Sequence, residues 1–281
     1  MSTWSDCAER WALDAAALLL AGVAAPLLLL VLLLLLPALR LRIPYGRYGS
    51  RSWGPGLPPR LAWVVQELPA LAVPLWLVSW HGAAAALPGG HGGDVYPGGP
   101  LVPWPNHVLL AMFIGHYFHR ALIYPFLLRG AKPMPFVPFL LALAFCTFNG
   151  YLQSRTLISC ARYPDGWLYD VRFVAGALLW LAGLLINLHS DHILRNLRKP
   201  GETGYKIPRG GMFEFVSGAN FLGEMVEWLG FAIACCTLQA WAFSVFTITV
   251  IGPRSVHHHK WYLEKFEDYP KKRKAVIPFL F

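Results

Sequence analysis

Seven stretches of this chain are apolar enough, and long enough, to seek lipid: residues 12–39, 61–80, 104–128, 134–154, 171–192, 219–236 and 238–253. A membrane-spanning helix takes about 20 mostly apolar residues. Inside a bilayer every backbone N–H and C=O has to find its partner within the protein, so separate spans of this length have to be helices. Charge composition points the same way. Asp, Glu, Lys and Arg make up 14% of the 281 residues, where a soluble domain carries roughly 25%. The fold class expected is all-α: a polytopic membrane protein with seven transmembrane helices, built as a single domain over residues 1–281.

The first stretch, with its run "PLLLLVLLLLLP", is longer than the apolar core of a signal peptide, about 7–15 residues. Its N-terminal flank carries Asp6, Glu9 and Asp14 against Arg10, so it reads as a retained helix. Lys and Arg collect in cytoplasmic loops. Here Arg40, Arg42, Arg47, Arg51 and Arg60 precede the second span, residues 81–103 carry neither Lys nor Arg, and Arg129 and Lys132 follow the third. Residues 155–172 mix three arginines with Asp165 and Asp170; residues 195–209 and the tail from Arg254 are basic again. The alternation predicts a lumenal N-terminus and a cytosolic C-terminus. It also accounts for much of the net charge of +9. A nucleic-acid partner would explain none of the apolar spans, and none is expected.

Ionisable residues inside membrane segments are costly and tend to face a cavity or a partner. Those of this chain recur at helical spacing: Tyr117, Arg120 and Tyr124; Asn187, Asp191, Arg195 and Arg198; Asn220, Glu224 and Glu227; Arg254, His258 and Tyr262. Any one face reads equally well as a buried network that fixes helix register. Four of them, three at the cytosolic ends of their helices, suit a polar cavity open to the cytosol. Its arginines, amides and aromatic rings match an anionic ligand with planar rings, such as a nucleotide, because guanidinium pairs phosphate in bidentate fashion. No GxGxxG or GxxxxGK[ST] is present, so a dinucleotide would bind without a Rossmann domain. No metal site is expected: "HHH" at 257–259 points its rings in three directions on a helix, and HExxH is absent. GxSxG is absent too, and the "HSD" of residues 189–191 is too local for a hydrolytic triad. Five cysteines without a CxxC indicate neither a zinc site nor a disulfide framework.

The segments "AWVVQELPALAVPL", "HYFHRALIYPFLLRGAKPMP", "FCTFNGYLQSR", "INLHSDHILRNLRKPGETGYKIPRGGMFEFVSGANFLGEMVEWLG" and "HHHKWYLEKFEDYPKKRKAVIPFLF" resemble the steroid 5α-reductase family. The resemblance covers a core from about residue 60 to 281, without the Gly/Pro-rich loop at 81–103, while residues 1–42 form an extra helical region outside it. It implies NADPH-dependent reduction of the 4,5 double bond of 3-oxo-Δ4 steroids in the endoplasmic reticulum membrane, by hydride transfer to carbon 5, with a steroid arriving from the bilayer and no obligate protein partner. It places Glu67 and Tyr117 on the steroid 3-ketone, with Gln66 beside them. It places Arg120, Tyr124, Asn187, Asp191, Arg198, Tyr205, Asn220, Glu224, Arg254, His258 and Tyr262 on NADPH, and "YGRYGS" adds Tyr45.

Glu67 is the one charged residue of "LAWVVQELPALAVPLWLVSW". Hydride addition to a conjugated enone builds negative charge on the ketone oxygen, and hydrogen-bond donors aimed there stabilise it. Tyr117 is such a donor. An apolar surrounding favours the neutral acid over the carboxylate, and a neutral Glu67 donates as well, as a protonated acid does in ketosteroid isomerase. Pro69 and Pro74 are expected to kink this span and free nearby carbonyls. Three other readings compete. Related membrane reductases act on enoyl-CoA or polyprenol, a membrane methyltransferase of the isoprenylcysteine type also uses a C-terminal polar cavity, and a transporter would show midplane sites and an internal repeat, of which there is none.

Overall fold

The computed structural model describes residues 53–86, 102–199, 201–202 and 204–280, with the backbone alone at 81–86. The first apolar stretch, Tyr45 and most of the Gly/Pro-rich loop lie outside the described residues. Each of the other six apolar stretches forms a helix: α1 Pro59–Ala86, α2 Trp104–Phe118, α3 Phe136–Arg155, α4 Val171–Asn196, α5 Ala219–Cys235 and α6 Leu238–Lys265. The only strands among the described residues are β1, Gly56–Leu57, and β2, Met134–Pro135, paired antiparallel. Three segments are long and apolar enough to cross a membrane: Pro59–Trp80, Phe136–Cys160 and Val171–Asn196. Large apolar side chains remain exposed along them, Trp76, Leu141, Leu178 and Leu185 among these, as suits surfaces solvated by lipid tails. The described residues fall into two compact units that divide after Tyr169.

In the first unit α1 runs unbroken across Pro69 and Pro74. It packs on α3 where Gly150 has no side chain: a Cβ there would come 2.9 Å from Ala70 Cα and 3.0 Å from Pro69 O. This close backbone approach fixes which face of α3 looks at α1. Two π-helical turns extend their helices, His119–Ile123 after α2 and Thr156–Cys160 after α3. Such turns leave carbonyls without their usual i→i−4 partners and gather at functional sites. The second one is tied down by Asn106, whose Nδ2 donates to Leu157 O at 2.7 Å and Ala161 O at 3.0 Å. Cys160, at its end, is disulfide-bonded. The odd cysteine count gave no sign of this.

In the second unit Asp170 caps α4 by accepting from Arg172 N at 2.9 Å. The pairing of α4 with α5 is a backbone-on-backbone contact made by four glycines. A Cβ on Gly176 would sit 2.4 Å from Ala234 N, on Gly183 2.2 Å from Glu227 N, on Gly223 2.4 Å from Asn187 N and on Gly230 2.3 Å from Trp180 N. Small residues are what let helices approach this closely in membranes. Thr237 starts α6, which continues past Pro253 to Lys265. The tail then returns to the strand-like segment ahead of α5: Lys274 N donates to Phe215 O at 2.9 Å and Ser217 N to Lys274 O at 2.8 Å. Arg273, 1% exposed, clasps this corner by donating to Pro208 O at 2.8 Å and Glu214 Oε2 at 3.4 Å, with its guanidinium over the Tyr269 ring.

Candidate active site

Within the first unit, α3 gathers the two residues expected on the steroid ketone. Gln66 Nε2 donates to Glu67 Oε1 at 3.1 Å, and Cys146 Sγ donates to Glu67 Oε2 at 3.5 Å. One turn further along α3, Asn149 Nδ2 donates to Tyr117 Oη at 3.5 Å, and Gln153 Nε2 donates to Asn149 Oδ1 at 3.1 Å. Gln66, Tyr117, Cys146, Asn149 and Gln153 are all buried, while Glu67 is half-buried. Cys146, Asn149 and Gln153 escaped the reading of the sequence as site residues. Their signal is the spacing i, i+3, i+7 in "FCTFNGYLQSR", a polar face on an otherwise apolar span. Gln66 spends its amide donor on Glu67, and its Oε1 is buried with no hydrogen-bond partner among the described residues.

Arg120 lies in the first π turn, so the register assumed for Tyr117, Arg120 and Tyr124 shifts between them. Tyr117 goes inward against Phe113 and His116. Arg120 and Tyr124 stay together, with the guanidinium 4.6 Å from the Tyr124 ring centre and 4.9 Å from that of Trp63. A guanidinium over two aromatic faces is held in place by those rings.

In the second unit the glycine seam brings Asn187 of α4 to Asn220 of α5: Asn187 Nδ2 donates to Asn220 O at 2.9 Å. Asn187 Oδ1, Ser190 Oγ and Arg195 Nη1 are buried and have no hydrogen-bond partner among the described residues. Buried polar atoms are almost always paired, so three such atoms along one stretch of α4 form a polar face whose chemistry fits a polar ligand. Asp191 is buried beside them. Glu224 is half-buried one turn beyond Asn220, and Arg254 and His258 are half-buried on α6, with the His258 ring 5.5 Å from that of Phe221. Tyr262 is buried and stacked on Tyr269 at 5.2 Å. Arg198 and Tyr205 are exposed beyond the end of α4, Tyr205 edge-on to Trp261 at 4.8 Å.

Two groups behind this set are tuned by their surroundings. Burial and the Lys274 charge hold His259 below the usual imidazole range. It sits in a chain with Ser217 Oγ, 2.7 Å from its Nδ1 and 2.6 Å from Tyr269 Oη. The Gly210 N–H, with Arg273 and Arg209 nearby, holds Glu214 below the usual carboxylate range. Both networks tie the tail to the stretch ahead of α5, and so steady Tyr262 from behind. Among the described residues no group of three His, Cys, Asp or Glu stands ready for a metal ion.

Comparison with known proteins accounts for this pattern of polar residues. Residues 132–281 match the family model described as 3-oxo-5-alpha-steroid 4-dehydrogenase. Over 237 residues the chain is 59% identical to 3-oxo-5-alpha-steroid 4-dehydrogenase 1 of Bos taurus, covering 84% of this chain and 87% of that protein. It is 54% identical to the type 1 protein of Homo sapiens over 84% of this chain and 86% of that one, and 50% identical to the human type 2 protein over 80% and 82%. Identity of this depth across most of both chains shows that this protein belongs to the 3-oxo-5-alpha-steroid 4-dehydrogenase family of oxidoreductases.

Proposed function

We propose that this chain reduces the 4,5 double bond of 3-oxo-Δ4 steroids, such as testosterone, progesterone and androstenedione, to their 5α-dihydro products, using NADPH. The observation that carries the reading is the α3 face. It seats the only carboxyl of an apolar span and a buried phenol within one helical turn of each other, through Cys146 and Asn149. Two donors so placed suit a single ketone oxygen that gains negative charge as the double bond is reduced. Gln66 and Cys146 each donate to one oxygen of the Glu67 carboxyl. Gln66 thereby orients the carboxyl, and the surrounding apolar side chains exclude water that would compete for the ketone.

The residues of the second unit fit NADPH. Asn187 Oδ1 and Ser190 Oγ are buried acceptors aligned on α4, as a carboxamide or ribose hydroxyl requires. Arg198, exposed, and Arg254 supply cations for phosphate, and the family resemblance assigns Arg120 to the cofactor as well. Asp191, Asn220, Glu224, Tyr205, His258 and Tyr262 complete the set, with Tyr45 outside the described residues. NADPH, when bound, supplies the hydride that reaches carbon 5. The preference for the phosphorylated nicotinamide rests on the surplus of arginines over acids in this set.

Seven spans in the endoplasmic reticulum membrane, with the N-terminus lumenal and the C-terminus cytosolic, are part of the same reading. The alternation of basic loops with loops poor in Lys and Arg supports it.

Turnover of testosterone with NADPH by purified variants tests the chemistry. The expected order is wild type, Glu67→Gln, Glu67→Ala, with Tyr117→Phe also severely impaired and Glu67→Ala lower by roughly 10²–10³. NADPH affinity stays at the wild-type value throughout. Reduction by Glu67→Ala at a near wild-type rate removes the carboxyl from the chemistry, and loss of NADPH binding reassigns it to the cofactor or the fold.

A further inference from the structure

Tyr117 does not choose its own hydrogen-bond direction. A phenol can donate or accept, and only a phenol that donates to the ketone serves the reaction. We propose that Asn149, held in place by Gln153, is a positioning residue that turns the Tyr117 hydroxyl into a donor toward the steroid. This inference rests on the assignment of Tyr117 to the ketone made above.

Direction is what the geometry supplies. Gln153 Nε2 donates to Asn149 Oδ1 at 3.1 Å, and Asn149 Nδ2 points at Tyr117 Oη from 3.5 Å, a weak contact beyond the usual range of about 2.7–3.2 Å. With the Asn149 amide turned over, its NH2 would face the NH2 of Gln153, two donors in contact. Its carbonyl would then take the phenol proton for itself. In the orientation Gln153 holds here, it disfavours the arrangement that would withdraw Tyr117 from the ketone. A phenol oxygen that already accepts a hydrogen bond has its own proton aimed elsewhere, and bonds running in one direction polarise one another.

Burial makes the relay binding rather than incidental. Gln153 is 1% exposed, Asn149 3% and Tyr117 4%, so water is not at hand to replace either amide. Residues four apart share a helix face, which puts both amides on the side of α3 that meets Tyr117. Gly150, next to Asn149, locks that side in place, because α3 backbone rests on α1 at Ala70. A buried amide pair can also serve only to fix helix register. Coupling to Tyr117 separates the two roles.

The experiment is a double-mutant cycle on the purified full-length chain, with kcat, the steroid KM and NADPH affinity measured for wild type, Asn149→Asp, Tyr117→Phe and the double variant. Asn149→Asp keeps the size but can only accept, so it captures the phenol proton. It lowers kcat about tenfold, less than the roughly 10²–10³ of deleting a donor outright, and leaves NADPH affinity unchanged. In the Tyr117→Phe background the same substitution costs no more than twofold. Asn149→Ser, shorter and neutral, runs the same cycle should the aspartate variant fail to fold. Losses that multiply in the double variant, or a wild-type kcat for Asn149→Asp, overturn the relay while leaving Tyr117 its role. Full activity of Tyr117→Phe instead overturns the assignment of Tyr117 itself, and the relay with it.

Discussion

Asn187 meets two demands with one side chain. Its amide donates across the glycine seam to Asn220 O, and its Oδ1 is left buried and facing no protein donor among the described residues. In the proposed cofactor site that oxygen is the atom assigned to the ligand, while the amide nitrogen holds the helices together. Arg198 and Arg254 divide the labour differently, one exposed beyond α4 and the other half-buried in α6 with its Nε covered. Hydrogen bonds to charged groups contribute about 1.5–3 kcal/mol each. Replacing either arginine by alanine is therefore expected to weaken NADPH binding by about 10- to 100-fold, with steroid KM little changed, as read by nucleotide titration and steady-state kinetics. Equal use of NADH and NADPH by the wild type would remove the reason for assigning arginines to an extra phosphate.

At the scale of the helices, α4 and α5 are held by an absence of side chains. The positions at 176, 183, 223 and 230 place glycines seven residues apart on each helix, which is one recurring face. Gly223→Ala is expected to push the helices apart at Asn187 and to destabilise the protein by about 1–3 kcal/mol, seen as a lower thermal midpoint in detergent with a matching loss of NADPH affinity. An unchanged midpoint would mean that the seam opens without cost. Helix existence was legible because runs of about 20 apolar residues leave the backbone no other solution in lipid. The ends were less so: α6 goes on through Arg254–Lys265 because its polar side chains find partners on the tail, a long-range return that local composition does not encode. The π turns were invisible, since inserting one residue into a turn changes register without changing composition. Glu67 stood out as a lone charge among apolar neighbours. Cys146 and Asn149 did not, because a thiol and an amide in an apolar helix are common and only their contacts with Glu67 and Tyr117 single them out.

For the whole molecule the reading makes one claim about sidedness. In the proposed topology the connection after Cys160 faces the lumen and the tail after α6 the cytosol. Asp165 and Lys271 are both exposed, so cysteines placed there report on it. In sealed microsomes a membrane-impermeant maleimide is expected to label Lys271→Cys at once and Asp165→Cys only after permeabilisation; the reverse pattern inverts the protein. The glycine seam also has a consequence for inheritance. Every amino acid other than glycine carries a Cβ, and at Gly176, Gly183, Gly223 and Gly230 that atom would fall 2.2–2.4 Å from a backbone nitrogen of the facing helix. Any missense change in those four codons, however small the residue it encodes, therefore forces the facing backbones to shift, so a gene for this enzyme has four positions at which even alanine is not a conservative replacement.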